Sequence, residues 1–204
     1  MRELVARLQL QYPLLENPVC LEQNTGKGGA IYAGWDAARE KDFHWLAFVD
    51  ADGAVSAKET MRVIAEAVSI PIESGTCTWA VRVSSEETKI RRTFLRKILG
   101  NIFRILVKLT FHLPVRDTQC GLKCIPAEAY WKVRHHLVEK RFVFDVELCM
   151  QLVREGYLIR ENPISWNESS GSTLNMKSAL RMLLSLIGVR WRILKQPSKE
   201  SIPQ

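Results

Sequence analysis

"LAFVDADG", Leu46 to Gly53, decides how this chain is read. Four mostly apolar residues run into two carboxylates, Asp50 and Asp52, separated by one alanine. A short apolar run bounded by charge reads as a buried strand, here residues 44–50. Two acids at such a strand end fit one of two chemistries. They can sit in a solvated Asx turn, for which D-x-D-G is a common sequence. Alternatively, their oxygens can jointly hold a hard divalent cation, Mg²⁺ or Mn²⁺, that keeps open positions for a diphosphate.

The segments around this strand set the fold class. Residues 3–11 read as the tail of an amphipathic helix ended by Pro13, and "PVCLE" (18–22) as a short strand. "GKGGAIYAGWDAARE" (26–40) follows as a helix entered through a glycine turn, with Ala30, Ala33, Ala37 and Ala38 forming a face of small side chains. Beyond the central strand, "AKETMRVIAEAVS" (57–69) has helical apolar spacing, and "GTCTWAVRV" (75–83) is rich in β-formers. Strand, helix, strand, helix, strand predicts an α/β fold with an open sheet flanked by helices. Ligands in such sheets bind beyond the carboxyl ends of the strands, where Asp50 and Asp52 lie.

The second half is helix-rich. A long apolar helix is expected over 90–112, a loop over 117–123, a helix from near Pro126 and another over 142–156 closed by Gly156. One or two strands fall in 157–166, a last amphipathic helix in 176–195, and 196–204 is expected to be a disordered tail. With 204 residues, 47% hydrophobic and 25% charged, the chain fits one globular domain. The five cysteines show no paired C-x-x-C pattern and read as reduced packing residues of a cytosolic protein. No apolar run is long enough to span a bilayer.

A net charge of +7 favours acidic partners, and its distribution narrows them. Lys89, Arg91, Arg92, Arg96, Lys97, Arg104 and Lys108 precede His112 with no intervening acid, interleaved with apolar side chains such as Phe94, Ile98, Ile102 and Leu109. So broad an apolar face argues against nucleic acid. It suits a membrane interface, a contact between copies of the chain, or plain core burial. The helix over 176–195 repeats this character.

Three further motifs carry chemistry. "NTGKGGA" (24–30) offers glycines for close backbone approach, a helix N-terminus for an anion and the charge of Lys27; helix capping explains it equally. "RDTQCGLK" (116–123) is a polar loop in which Asp117 is either a turn or N-cap residue or a general base. "FVFDVEL" (142–148) puts Asp145 and Glu147 at a helix start, where the dipole already favours acids.

Taken in order, "NTGKGGAIYAG", "VDADG", the arginines before the apolar helix, "DTQCGLK", "FVFDVEL" and "NPISWNESSGS" resemble glycosyltransferase family 2 over roughly residues 1–195. Within it the pattern is most similar to the polyprenyl-phosphate sugar transferases, in particular the dolichyl-phosphate β-glucosyltransferase branch. The resemblance implies a GT-A fold, Rossmann-like, as a single catalytic domain over 1–195. The implied reaction is inverting transfer from a nucleotide-sugar, with a lean to UDP-glucose, to a polyprenyl or dolichyl phosphate. It would occur at the cytosolic face of a membrane, with amphipathic helices lying on the surface. By the same resemblance Asp117 is catalytic, Asp50 and Asp52 hold Mg²⁺ or Mn²⁺, and Asn24, Lys27, Asp50 and Arg82 border the donor. Arg92, Arg96, Lys123, Asp145 and Glu147 lie toward the acceptor.

The family opens with a strand and a Val-Pro-x-Tyr-Asn-Glu type segment, whereas this chain begins inside what would be the next helix. The expectation is therefore a domain shortened at its N-terminus. The competing reading is an inactive scaffold that binds a membrane surface or a partner.

Overall fold

The computed structural model describes residues 2–83, 103, 105–166 and 176–196. Arg92, Arg96, most of the 90–112 segment and the tail from 197 lie outside these residues. The elements in chain order are α1 (Arg2–Gln11), α2 (Lys27–Ala37), β1 (Trp45–Val49), α3 (Ala57–Val68), β2 (Thr76–Arg82), α4 (helical at 103 and 105–111), β3 (Leu122–Pro126), α5 (Ala127–Val133), α6 (Phe144–Arg154), β4 (Leu158–Ile164) and α7 (Met176–Lys195).

One open mixed sheet has the order β1-β3-β2-β4. Strand β3 runs antiparallel to both neighbours, with Phe48 opposite Lys123 in β1 and Trp79 opposite Lys123 in β2; β2 and β4 are parallel. The carboxyl ends of β1, β2 and β4 and the loop entering β3 therefore meet at one edge of the sheet. β2 is buried on both faces, as an interior strand should be.

Alternation along the strands assigns the two faces. Leu46, Cys77, Trp79, Val81 and Ile125 pack with Tyr32, Trp35, Tyr130, Phe144 and Leu148 of α2, α5 and α6. On the opposite face Ala80, Leu122 and Ile164 meet Val63 of α3. That helix starts where Ser56 Oγ accepts the Glu59 N–H at 3.2 Å, an N-cap. It is tied to β4 by Arg62, which donates to Asn162 Oδ1 and the Pro163 carbonyl. A further cluster joins α4 (Phe103, Val107, Phe111), α6 (Val146) and α7 (Leu186, Val189, Ile193).

Two expectations are corrected. Residues 18–22 form no strand: Val19 and Leu21 are exposed, and no neighbouring strand pairs with them among the described residues. Conversely, 122–126, whose first two residues read as the end of the 117–123 loop, is the fully buried strand β3, and the helix expected from near Pro126 starts at Ala127. Its "LKCIP" carries a lysine and a proline, and neither the charge nor the missing donor suggests a strand interior. The Lys123 charge is compensated inside the fold, and Pro126 ends the strand.

Beside β1, an apolar cleft of about 480 Å³ runs between its outer edge and α2, lined by Ala30, Gly34, Ala38 and Phe43 among others. The Trp35 indole N–H donates to the Ala47 carbonyl at 3.2 Å along that edge.

Candidate active site

The strand-end edge collects three ion pairs. The first joins α2 to β1. Asp50 directly follows β1, and its N–H donates to the Gly121 carbonyl at 2.8 Å, fixing the turn against the loop before β3. Its Oδ2 meets Lys27 Nζ at 2.9 Å. A Cβ at position 121 would collide with the Asp50 carboxylate, so only glycine lets the two segments approach this closely. Lys27 also lies over the Phe48 and Phe144 rings, at 5.4 and 5.7 Å from their centroids.

The glycines around Lys27 act through packing. Gly28 lies against Phe144, and the Gly29 N–H donates to the Lys140 carbonyl at 2.9 Å. That donor, expected to face an anion, is committed to the protein instead. Asn24 caps the same turn, its Oδ1 accepting the Gly26 N–H at 2.8 Å.

The second pair is Arg82 with Asp117. Arg82 ends β2, and its Nε and Nη2 reach Asp117 Oδ2 and Oδ1 at 2.6 and 2.8 Å, a bidentate fork. Burial would raise the Asp117 carboxyl, but the Arg82 hydrogen bonds and charge outweigh it and hold the group below the usual carboxylate range. Asp117 is therefore ionised at neutral pH, with both oxygens engaged. That suits electrostatic stabilisation better than strong-base chemistry.

The third pair lies beneath the other two. Lys123 is fully buried on β3, with Nζ at 2.5 Å from Asp145 Oδ1 and donating to the Cys120 carbonyl at 2.6 Å. The Phe48 and Trp79 rings flank it, each 5.0 Å away. Burial pushes the Asp145 carboxyl up, opposed chiefly by the Lys123 and Lys27 charges.

Glu147, one helical step on, is also buried. Its Oε2 accepts the Val138 and Glu139 N–H groups at 2.8 and 2.6 Å, and its Oε1 accepts Arg192 Nη2 and Nε at 2.8 and 3.1 Å. Lys123, Asp145 and Glu147, expected toward an acceptor, are thus each paired with other groups of the chain. All three are buried; Lys123 holds the loop carbonyl of Cys120 and Glu147 the N–H groups of Val138 and Glu139.

Asp52, on the turn after β1, accepts the Ala54 N–H at Oδ1 (3.0 Å), so the Asx-turn reading is realised there. Among the described residues no three His, Cys, Asp or Glu side chains converge into a cage. The donor set that remains, Asp50 and Asp52, is two hard carboxylates one residue apart. It fits a Mg²⁺ or Mn²⁺ ion that takes its other ligands from phosphate and water. Sequence reasoning missed Gly121 and Arg192; a glycine just before a strand was the only local signal for the first, and the second had none.

A sequence model described as Glycosyl transferase family 2 matches residues 17–133. The chain is 32% identical over 179 residues to the dolichyl-phosphate beta-glucosyltransferase of Dictyostelium discoideum, covering 85% of this chain and 53% of that protein. It is 32% identical over 178 residues to the one of Saccharomyces cerevisiae (82% and 52%) and 33% over 191 to the one of Drosophila melanogaster (88% and 58%). It spans about half the length of these curated relatives.

Proposed function

Since the chain belongs to glycosyl transferase family 2, we propose that it moves a glucose-like sugar, with inversion, from a nucleotide-sugar such as UDP-glucose to a dolichyl or polyprenyl phosphate. The observation that supports this best is the arrangement at the sheet edge, where Lys27–Asp50 and Arg82–Asp117 stand at the carboxyl ends of β1 and β2, on either side of β3. Lys27 and Asn24 border the donor, with Asp50 beside them. Asp50 and Asp52 would hold Mg²⁺ or Mn²⁺, which when bound neutralises the diphosphate leaving group.

A phosphate acceptor is already ionised at neutral pH, so the chain need not supply a strong base. Asp117, kept anionic and oriented by Arg82, stabilises positive charge developing at the sugar carbon. Positioning carries much of the remaining rate. Arg92 and Arg96 keep their proposed place toward the acceptor phosphate.

The test is an assay of the purified chain with UDP-glucose, dolichyl phosphate and Mg²⁺ or Mn²⁺. Transfer is expected to stop on chelation and to fall about 100-fold in Asp52→Ala, the scale of a lost metal contribution. Undiminished transfer by that variant under chelator would remove the metal role. A folded chain that transfers from no donor would favour the scaffold reading.

A cytosolic membrane surface is the proposed location. No described helix is long and apolar enough to cross a membrane. The outer face of α7 nevertheless exposes Leu180, Leu184, Ile187, Trp191 and Leu194, spaced by three and four residues, and α7 contains no acidic residue. Lys195 Nζ sits 3.5 Å over the Trp191 ring, pairing two side-chain types common at membrane interfaces. Flotation with anionic vesicles is expected to carry the chain upward. Replacing Leu184 and Ile187 by Ser should lower partitioning roughly tenfold or more, given ~1.5–3 kcal/mol per buried side chain of this size. A stable dimer with no vesicle binding would assign this face to a second copy instead.

A further inference from the structure

We infer that Arg192, on α7, is a positioning residue for the donor side of the site, acting through Glu147. The contacts form a continuous path. Arg192 donates twice to Glu147 Oε1, and Glu147 Oε2 holds the N–H groups of Val138 and Glu139. The next residue of that loop, Lys140, accepts the Gly29 N–H at 2.9 Å. A Cβ at position 26 would lie 2.6 Å from the Lys140 carbonyl oxygen, so the loop and the start of α2 meet without slack. Lys27 lies within that stretch and carries the ion pair with Asp50 at 2.9 Å.

Each step constrains the next. Glu147 is fully buried, and a carboxylate there needs compensation from every side. Two backbone N–H groups supply part of it, and the only side-chain cation in hydrogen-bond contact with Glu147 among the described residues is Arg192. Without the guanidinium, the carboxylate is driven to find water, and the loop bonded to its second oxygen moves with it. Displacement of 138–141 then releases the Lys140–Gly29 bond and frees Lys27 from its fixed reach to Asp50. The fork matters as much as the charge, because Nε and Nη2 together set the rotamer of Glu147.

α7 therefore has two jobs. Its outer face presents the exposed apolar stripe, while Arg192 on its inner side anchors a loop that shapes the donor pocket.

The test uses the full chain. In Arg192→Met, amide hydrogen exchange at 138–141 and 26–30 is expected to speed up about tenfold, the scale of coupling along such networks. Exchange in α3 and β4, held by the separate Arg62–Asn162 contact, should stay at the wild-type rate. The kinetic arm rests on the proposed sugar transfer: the KM for UDP-glucose should rise about tenfold with kcat within about twofold, a loss of uniform binding. Arg192→Lys should recover part of both. Exchange that rises equally everywhere, or only within α7, would overturn the relay, as would an unchanged donor KM in an active enzyme. If the wild-type chain shows no transfer, the proposed function fails and the exchange pattern alone decides the relay.

Discussion

Asp117→Asn is expected to lower kcat for sugar transfer by about 10³-fold, the scale of a lost electrostatic contribution at a reacting centre, with donor KM changed little. Asn keeps the shape of Asp117 but not its charge. It can answer only one arm of the Arg82 fork with an acceptor and presents an NH₂ to the other. The variant loses the negative charge at the sheet edge and leaves Arg82 half paired.

The pH dependence follows from the lowered Asp117 value. The ionised form is the active one, and the Arg82 hydrogen bonds keep it ionised despite burial. Activity that depends on it should persist to about pH 4, the ordinary aspartate range, and fall only as pH drops through the still lower folded value. The stability it contributes follows the same course, complete above the unfolded value and lost below the folded one. Steady-state kinetics from pH 8 down to well below pH 4, with circular dichroism to follow folding, checks both; wild-type kcat in the Asn variant would take Asp117 out of the chemistry.

The second large effect concerns stability. Lys123→Met should destabilise the fold by about 3–5 kcal/mol, the usual consequence of removing one member of a buried ion pair. Met can fill the space between Phe48 and Trp79, but it leaves Asp145 without its partner at 2.5 Å and the Cys120 carbonyl without its donor. Burial already pushes the Asp145 carboxyl up, and removing the nearest cation pushes it further. Protonation then relieves the native state, so the deficit should be largest at neutral pH and shrink as pH is lowered.

Adding Asp145→Leu should return most of the lost stability, because replacing both partners of a buried pair with apolar side chains is often neutral or better. Urea unfolding of the single and double variants at pH 5 and 7 measures this. A double variant no better than the single would mean that Lys123 acts through packing alone.

Much of this was legible from local pattern. The apolar run before Asp50, the helical spacing over 57–69 and the amphipathic repeat of 176–195 each reported an element close to its observed bounds. The glycosyltransferase family resemblance carried by "NTGKGGA", "VDADG" and "DTQCGLK" also stands with the family match.

Pairings between distant segments were not legible. Lys123 of "LKCIP" was expected toward the acceptor, and only the fold shows two aromatic rings and Asp145 closing over it. Asp145 and Glu147 read as helix-start acids and, by the family resemblance, as residues toward the acceptor. Their partners, Lys123 and Arg192, lie 22 and 45 residues away, beyond any local period. "PVCLE" had strand propensity, but a strand also needs a neighbour.

The three ion pairs at the sheet edge have an effect that belongs to the molecule's long-range field. Lys27, Arg82 and Lys123 are matched one for one by Asp50, Asp117 and Asp145, so the six together carry no net charge. The chain's +7 therefore resides elsewhere, much of it on the basic segment before His112 and on α7. Capture of an anionic partner from a distance falls to those two stretches of sequence, and added salt should slow it by screening. The edge itself exerts little pull until a ligand is close enough to break one of its pairs. Recognition there is an exchange of partners at short range.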